Sequence, residues 1–334
     1  MFNIAVQLVL FTSKAIIIVA LILLLLVGII ALLSRGKDSA EGRLRIKNLS
    51  QKYQETCDAL LEEVLNKDEF KKYAKQRKSE DKLKAKNPTA KKKVYVLNFC
   101  GDIKASAVTS LREEVTAVIG IAKPGDEVVV CLESPGGMVH TYGLAAAQLA
   151  RFREYQIPLT VSVDKVAASG GYLMACVANK ILAAPFAIIG SIGVIVQIPN
   201  FNRLLKEKHV DFEQLTAGSF KRTLTMFGHN TDEGRKKMQE EIEEIHELFK
   251  NSIAGYRPQI DLNKVATGEH WLGAQAIALK LVDEVKTSDD YLLEQSKHAD
   301  LFELSYQMKK TFMSKFTSAA NSFKETLFST NLPL

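Results

Sequence analysis

The sequence predicts an α/β fold standing behind an N-terminal apolar helix and a basic linker. Two observations carry this. From Val94 to Val285 short apolar runs alternate with amphipathic ones in the order strand, turn, helix, and that order builds a sheet of largely buried strands. Ahead of it, residues 15–33 read "AIIIVALILLLLVGIIALL" without a charge, enough to cross the hydrocarbon core of a bilayer as a helix. The resulting plan is an anchor over 1–34, a charged helical and linker segment over 35–93, an α/β domain over 94–290 and an amphipathic tail over 291–334.

The anchor comes first in the chain. Its apolar run is too long for the h-region of a signal peptide and lacks a small-x-small exit, so it is read as retained and in contact with membrane lipid. Lys14 alone precedes it, whereas Arg35, Lys37, Arg43, Arg45 and Lys47 follow. Taken alone, this asymmetry holds the C-terminal bulk in the cytoplasm. Leu49, Tyr53, Leu60, Leu61 and Val64 then recur at helical spacing and give a membrane-proximal helix, before a lysine-rich stretch expected to be a solvated linker ending near Lys93. That stretch has no interleaved aromatics. Anionic lipid or solvent accounts for its charge, and no nucleic-acid partner is expected.

In the α/β region "VYVLNFCGDI" is strand-like and "SAVTSLREEVTAVIGIA" helical, with Ser106 or Ser110 as the expected cap. "DEVVVCLESPGG" is a strand entering a glycine turn, "YGLAAAQLARFREYQ" a helix, "IPLTVSVDKVA" a strand, and "SGGYLMACVANK" a short helix that starts at the glycines. The apolar run from Ile181 to Ile198 is read as core strands, because Pro185, Gly190 and Gly193 interrupt it. A long charged helix follows in "TDEGRKKMQEEIEEIHELFKNSIAGYR", then turn, helix and closing strand in "ATGEHWLGAQAIALKLVDEV". Past Ser296 apolar residues recur at roughly helical intervals, as in an amphipathic surface helix.

Composition narrows the chemistry. The 334 residues are 47% hydrophobic with a net charge of +6, and most of the excess lies between Arg35 and Lys93. The four cysteines form no CxxC pair, and the apolar settings of Cys100, Cys131 and Cys176 predict buried free thiols. The six histidines are scattered singly. With no metal-ligand spacing, neither a metal nor another cofactor is expected.

Two glycine-rich turns each follow a strand: "ESPGG" at 133–137 and "ASGG" at 168–171. Glycines at 136 and 137 reach backbone angles closed to other residues, so their amides can converge on a small anion. Ser169 stands before Gly170 at a helix start, either as a nucleophile facing such amides or as the N-cap of a tightly packed helix. A serine nucleophile needs a base. His140 follows the first glycine turn too closely, and no acidic partner is evident. Lys221 in "TAGSFKRTLTMFG" lies among Phe220, Leu224 and Phe227, where apolar surroundings would keep its amine neutral; a solvated lysine is the other reading.

The runs "LESPGGMVHTYGLAA", "VDKVAASGGYLMACVANKI", "APFAIIGSIGVI", "TAGSFKRTLT" and "ATGEHWLGAQAIALKLVDE" resemble, in order, peptidase family S49, the signal peptide peptidase A group, and within it a membrane-anchored branch. The resemblance implies a ClpP/crotonase-like spiral of ββα units, often assembled into rings, and a Ser–Lys dyad. It implies Ser169 as nucleophile and Lys221 as general base. Gly136, Gly137 and Gly170 become the oxyanion and substrate-binding positions, and Ser191 of "GSIG" orients the lysine. The long members carry two tandem catalytic halves; this chain carries one, so a homo-oligomer is expected, in which serine and lysine can come from neighbouring subunits. The implied enzyme is a serine endopeptidase of the bacterial inner membrane acting on small or membrane-released peptides, such as signal-peptide remnants or misfolded segments. The family suggests a periplasmic catalytic domain, the charged flanks a cytoplasmic one. Two other classes stand beside it. A crotonase-type acyl-CoA enzyme shares the glycine turns without needing the dyad or anchor, and a non-catalytic membrane scaffold would be expected to lack one dyad residue.

Overall fold

The computed structural model describes residues 42–86 and 91–308, together with 11–14, 16–19, 21, 22 and 25. They divide into a unit of the terminal segments, up to Arg43 and from Gln307, and a unit from Leu44 to Tyr306. In the terminal unit, 11–14 and 16–19 are helical. No helix among the described residues is long and apolar enough to cross a membrane, and the anchor expected over 15–33 falls mostly outside them.

Strand β1 (Arg43–Asn48), which enters the larger unit at Leu44, is followed by helix α1 (Leu49–Val64) and helix α2 (Lys67–Lys86). Asn48 caps α1 by accepting from the Gln51 N–H at 2.9 Å. The lysine-rich stretch expected to be a linker is α2 instead. The Asn66 side chain accepts from the amides of Asp68 and Glu69, and the Glu69 carboxylate accepts from the Asn66 N–H. This reciprocal cap starts a run of good helix formers, and Arg77 within it pairs with Asp58 of α1.

Next come β2 (Lys92–Cys100), α3 (Val108–Ile119), β3 (Glu127–Glu133), α4 (Val139–Glu154) and β4 (Leu159–Val163). These strands are apolar on both faces because helices cover both sides: Val94, Val96 and Val129 are buried on one, Tyr95, Leu97, Val128 and Val130 on the other. Neither expected serine caps α3. Ala107 holds the N-cap position, and Ser106 bonds back to Asp102 through its amide at 2.8 Å and its hydroxyl at 2.9 Å.

The segment expected to be one strand before the second glycine turn is two, β4 and then β5 (Val166–Ala168), followed by α5 (Gly170–Ala175), β6 (Lys180–Ala183) and β7 (Ile188–Gly190). The chain continues through α6 (Asn202–Glu207), α7 (Asp232–Tyr256), α8 (Leu262–Val265), β8 (His270–Leu272), α9 (Gly273–Ala276), β9 (Glu284–Val285), α10 (Ser288–Gln295) and β10 (Ala299–Gln307). Ala299–Gln307, expected to be helical, is thus a strand: Leu301 and Leu304 are buried in the sheet, and the strand runs parallel to β2 in the register Leu301↔Val94.

Among the described residues seven strands form one sheet in the order β1-β10-β2-β3-β4-β6-β9, and β5-β7-β8 form a second. Twice in succession a strand of the large sheet hands over to one of the small sheet, β4 to β5 and β6 to β7. The turns that follow β5 and β7 therefore lie side by side. Arg257, 3% exposed, ties the end of α7 to this core through Asp283 at 2.7 and 2.8 Å, while the Asp283 carboxylate also accepts from the Ile181 N–H at 2.7 Å.

Candidate active site

Ser169 is the hinge between β5 and α5, and its backbone is strained. With φ 52° and ψ −120° it occupies a region that costs a non-glycine residue about 1–3 kcal/mol. Neighbouring bonds impose this conformation: the Ser169 N–H donates to the Gly190 carbonyl at 2.8 Å, and its own carbonyl accepts from the Leu173 N–H at 3.0 Å. It holds the N-cap position of α5, yet its side chain makes no capping hydrogen bond. Ser169 lines a cavity instead.

Gly136, at φ 87°, lies against this turn. A Cβ at position 136 would come within 2.7 Å of the Ala168 carbonyl and 2.8 Å of both the Gly170 amide and the Ser169 Cβ. Only glycine permits that approach. Gly137 is packed as closely on the backbone of Ile103, whose carbonyl accepts from the Met138 N–H at 2.8 Å. Gly170 begins α5, where first-turn amides have no intrahelical acceptor, and its Cα is covered by the Tyr142 ring. Ser169, Gly136, Gly137 and Gly170 are therefore brought together.

Ser134 and Tyr142 support the turn and were not singled out by sequence. The Gly136 N–H donates to Ser134 Oγ at 3.1 Å, Ser134 Oγ lies 2.5 Å from the Tyr142 hydroxyl, and that hydroxyl donates to the Asp102 carbonyl at 2.8 Å. The Tyr142 proton is committed to Asp102, so Ser134 donates to Tyr142. Both residues are fully buried. Burial raises the phenol above its usual range, although the Ser134 bond works against this. The available signal was Ser134 standing inside "ESPGG" with a tyrosine one helical turn into "VHTYG".

The cavity has a volume of about 340 Å³. Val139, Gly143 and Ala147 of α4 form one wall, Ile245 and Phe249 of α7 another, and Ser169 with Gly137 its polar edge. No neighbour lies within 4 Å of where a Gly143 Cβ would stand. At Tyr256 the Arg153 guanidinium stacks 5.3 Å from the ring centroid. The lining is mainly apolar and suits an apolar side chain.

Ser191 follows β7 as Ser169 follows β5, also with φ 52°, and its N–H donates to the Glu269 carbonyl at 2.7 Å. Lys221 is not brought to this site within one chain. It does not line the cavity, and the burial expected from its apolar neighbours is not found: Lys221 is exposed, as are Phe220 and Phe227 at 48% and 40%. The reason is local. Residues 211–231 contain no helix or strand to pack under those aromatics. The stretch is still held at its base, where Asn200 and Asn202 donate to the carbonyls of Thr225 and Phe227 at 2.8 Å, and where Gly234 of α7 leaves no room for a Cβ beside the Thr223 carbonyl. His140 is exposed on α4. The cysteines are free: Cys176 is buried as expected, Cys131 partly so, and Cys100 is exposed because it ends β2. Among the described residues no group of three or more His, Cys, Asp or Glu converges to hold a metal ion.

Comparison with known proteins covers most of the chain. The family description "Peptidase family S49 N-terminal" matches residues 3–149, and "Peptidase family S49" matches 151–302. The chain is 50% identical over 310 residues to a protein named probable protease SohB from Haemophilus influenzae, covering 89% of this chain and 88% of that one. It is 53% identical over 238 residues to one of the same name from Buchnera aphidicola, covering 71% of each. Among solved structures, a mutant of a membrane-bound stomatin-specific protease in complex with a substrate peptide aligns over 70% of this chain and 100% of that one, at 14% identity and a TM-score of 0.45. With identity of this depth over most of both chains, and with its glycine turns and strained serine gathered at one cavity, the chain belongs to peptidase family S49.

Proposed function

We propose that the chain is a membrane-anchored serine endopeptidase of the bacterial inner membrane. In this reading Ser169 is the nucleophile and Lys221, supplied by a neighbouring copy, is the general base. One observation carries it: a strained serine whose hydroxyl is spent on no helix cap, at the edge of an apolar cavity and against Gly136 and Gly170. A structural serine gains nothing from that conformation, whereas a nucleophile gains a presented oxygen.

The chemistry follows from the positions. Ser169 Oγ attacks a peptide carbonyl and passes its proton to the Lys221 amine. Charge on the carbonyl oxygen is taken by the amides of Gly137 and Gly170, each such donor worth about 3 kcal/mol of barrier. Gly136, expected among the donors, has its N–H held by Ser134 Oγ and instead lets the two turns approach. The amine leaves with the proton, and water hydrolyses the acyl-enzyme by the same route. The cavity accepts an apolar side chain of the substrate, in keeping with small or membrane-released peptides. Ser191, one residue beyond the Gly190 carbonyl that fixes Ser169, would orient the incoming lysine.

Helix length supports a lysine from a second copy. The Lys221 stretch abuts α7 at Gly234, while the cavity is lined by α7 from Ile245 onward, roughly 16 Å further along the axis at about 1.5 Å per residue. A neighbour would also cover the exposed Phe220 and Leu215, the latter 96% exposed. The test is cleavage of an apolar peptide by the detergent-solubilised full chain, with a peptide aldehyde as active-site label. Ser169→Ala is expected to lose both cleavage and label while keeping its fold and membrane location. Residual cleavage above about a thousandth of wild type would assign the nucleophile elsewhere.

A further inference from the structure

A second cavity, of about 430 Å³, lies on the other face of the large sheet from α4 and α5. Alternation along the strands sends Asn98, Cys131 and Ser162 to this side, and the register Asn98↔Cys131↔Ser162 sets them in one row across β2, β3 and β4. Leu49 of α1 and Leu292 of α10 line it as well.

The floor holds an unused polar group. Ser162 is 1% exposed, and its hydroxyl has no hydrogen-bond partner among the described residues. Leaving a buried hydroxyl unpaired costs about 1–3 kcal/mol. Val161 and Val163 stand on either side of it in the same strand, so an apolar residue would serve packing better.

The surroundings select a cation. Glu133, Asp164, Asp289 and Glu303 line the cavity, against Lys165 on Glu133 at 2.9 Å and Lys47 on Glu303 at 3.3 Å. Asp164 also accepts from the N–H and hydroxyl of Ser288, which leaves each of its oxygens a further lone pair. Asn98 spends its N–H on Glu303 at 3.3 Å, which leaves its carbonyl oxygen as an acceptor. Burial, and after it the charge of Asp164, pushes the Cys131 thiol up to about 12, with Asp289 and Glu303 adding to the rise. That thiol stays protonated and is no nucleophile. No three His, Cys, Asp or Glu among the described residues stand close enough to hold a metal ion. The negative field thus lacks a metal cage but surrounds a space walled partly by leucines.

We propose that this cavity binds a primary alkylammonium group, its nitrogen donating to Ser162 Oγ and to the carboxylates of Asp164 and Glu303, its aliphatic stem lying against Leu49 and Leu292. Two sources carry this chemistry, a free aliphatic diamine and a lysine side chain of a polypeptide.

Cys100 lines the cavity and is exposed, and Cys57, exposed on α1, does not line it. Alkylation of the two thiols in the full chain, followed by mass spectrometry, therefore reports occupancy with an internal reference. The probes are 1,5-diaminopentane and Nα-acetyl-lysine methylamide, with 1-pentanol as the uncharged control. Either amine is expected to slow Cys100 alkylation saturably and leave Cys57 unchanged, and the amine that protects identifies the source. Ser162→Val and, separately, Glu303→Gln should each weaken protection about tenfold, the equivalent of one hydrogen bond to a charged group. Glu303 is near the surface, so its variant keeps the test open if Ser162→Val fails to fold. The proposal is overturned if neither amine protects, if pentanol protects equally, or if protection is unchanged in a folded variant.

Discussion

Ser169 and Ser191 extend the same parallel ladder by one residue each. The pairs Val166↔Ile188, Ala167↔Ile189 and Ala168↔Gly190 end at the two serines, both at φ 52°, with the Ser169 N–H bonded to the Gly190 carbonyl. The small sheet is thus a short clamp that sets two serine turns side by side and joins them by a backbone hydrogen bond.

The strain at Ser169 predicts a split between stability and activity. Ser169→Gly and Ser169→Ala should both be inactive. The glycine variant should be the more stable of the two by about 1 kcal/mol, since φ 52° strains alanine and not glycine. Denaturant midpoints decide this, and an alanine variant at least as stable would mean that the turn carries no strain.

The chain of bonds from Gly136 through Ser134 and Tyr142 to Asp102 predicts a positioning effect. Tyr142→Phe keeps the ring over Gly170 but removes the hydroxyl that Ser134 donates to. A kcat loss of about tenfold with little change in KM is expected, against about 10²-fold or more for Gly136→Ala, whose Cβ would meet the Gly170 amide at 2.8 Å. Steady-state kinetics on one apolar peptide checks both.

The proposed supply of Lys221 by a neighbouring copy predicts complementation. Ser169→Ala and Lys221→Ala proteins, each inactive, should regain activity when mixed and reassembled, and Lys221→Arg should be inactive because guanidinium does not deprotonate. A fully active monomer isolated by size exclusion would refute the shared site.

Glu127 predicts an acid-sensitive term. Burial opposes its charge, but bonds from Lys92 at 2.6 Å, Tyr291 at 2.6 Å and Thr160 at 2.7 Å outweigh it and hold the carboxyl below its usual range. A depressed carboxyl stabilises the fold above its unfolded pKa and loses that contribution as pH falls through the folded value. Glu127→Gln should therefore cost about 2 kcal/mol near neutral pH and progressively less below about pH 4, read from urea midpoints across pH.

Arg257→Leu leaves the Asp283 carboxylate without its counter-charge, with only the Ile181 N–H still bonded to it. A loss of about 3 kcal/mol is expected by thermal unfolding, and Arg257→Lys should recover only part of it because the two-pronged contact is gone.

The buried strands were legible because a parallel strand covered on both faces must be apolar throughout, as "VYVLNF" and "EVVVCL" are. The serine turn was legible because strand, small residue and paired glycines leave few conformations open. Ala299–Gln307 was not: "ADLFELSYQ" fits either period, and its partner in β2 lies far back in the chain. The exposure of Lys221 was hidden for a different reason. Phe220, Leu224 and Phe227 look like core, and sequence does not say whether a core belongs to the same chain. Ser134 and Tyr142 act through one another across a turn, and neither carries a signal alone.

The pairing of β10 with β2 also constrains when the protein can fold. Lys92 meets Ala299 across about 200 residues, so the entropy of closing that loop falls due only after almost the whole chain has been synthesised. Until then the apolar run of β2 presents an open edge, a template for any other nascent strand. Chains cut short before Ala299 should therefore aggregate rather than persist as fragments, and only copies that reach full length escape.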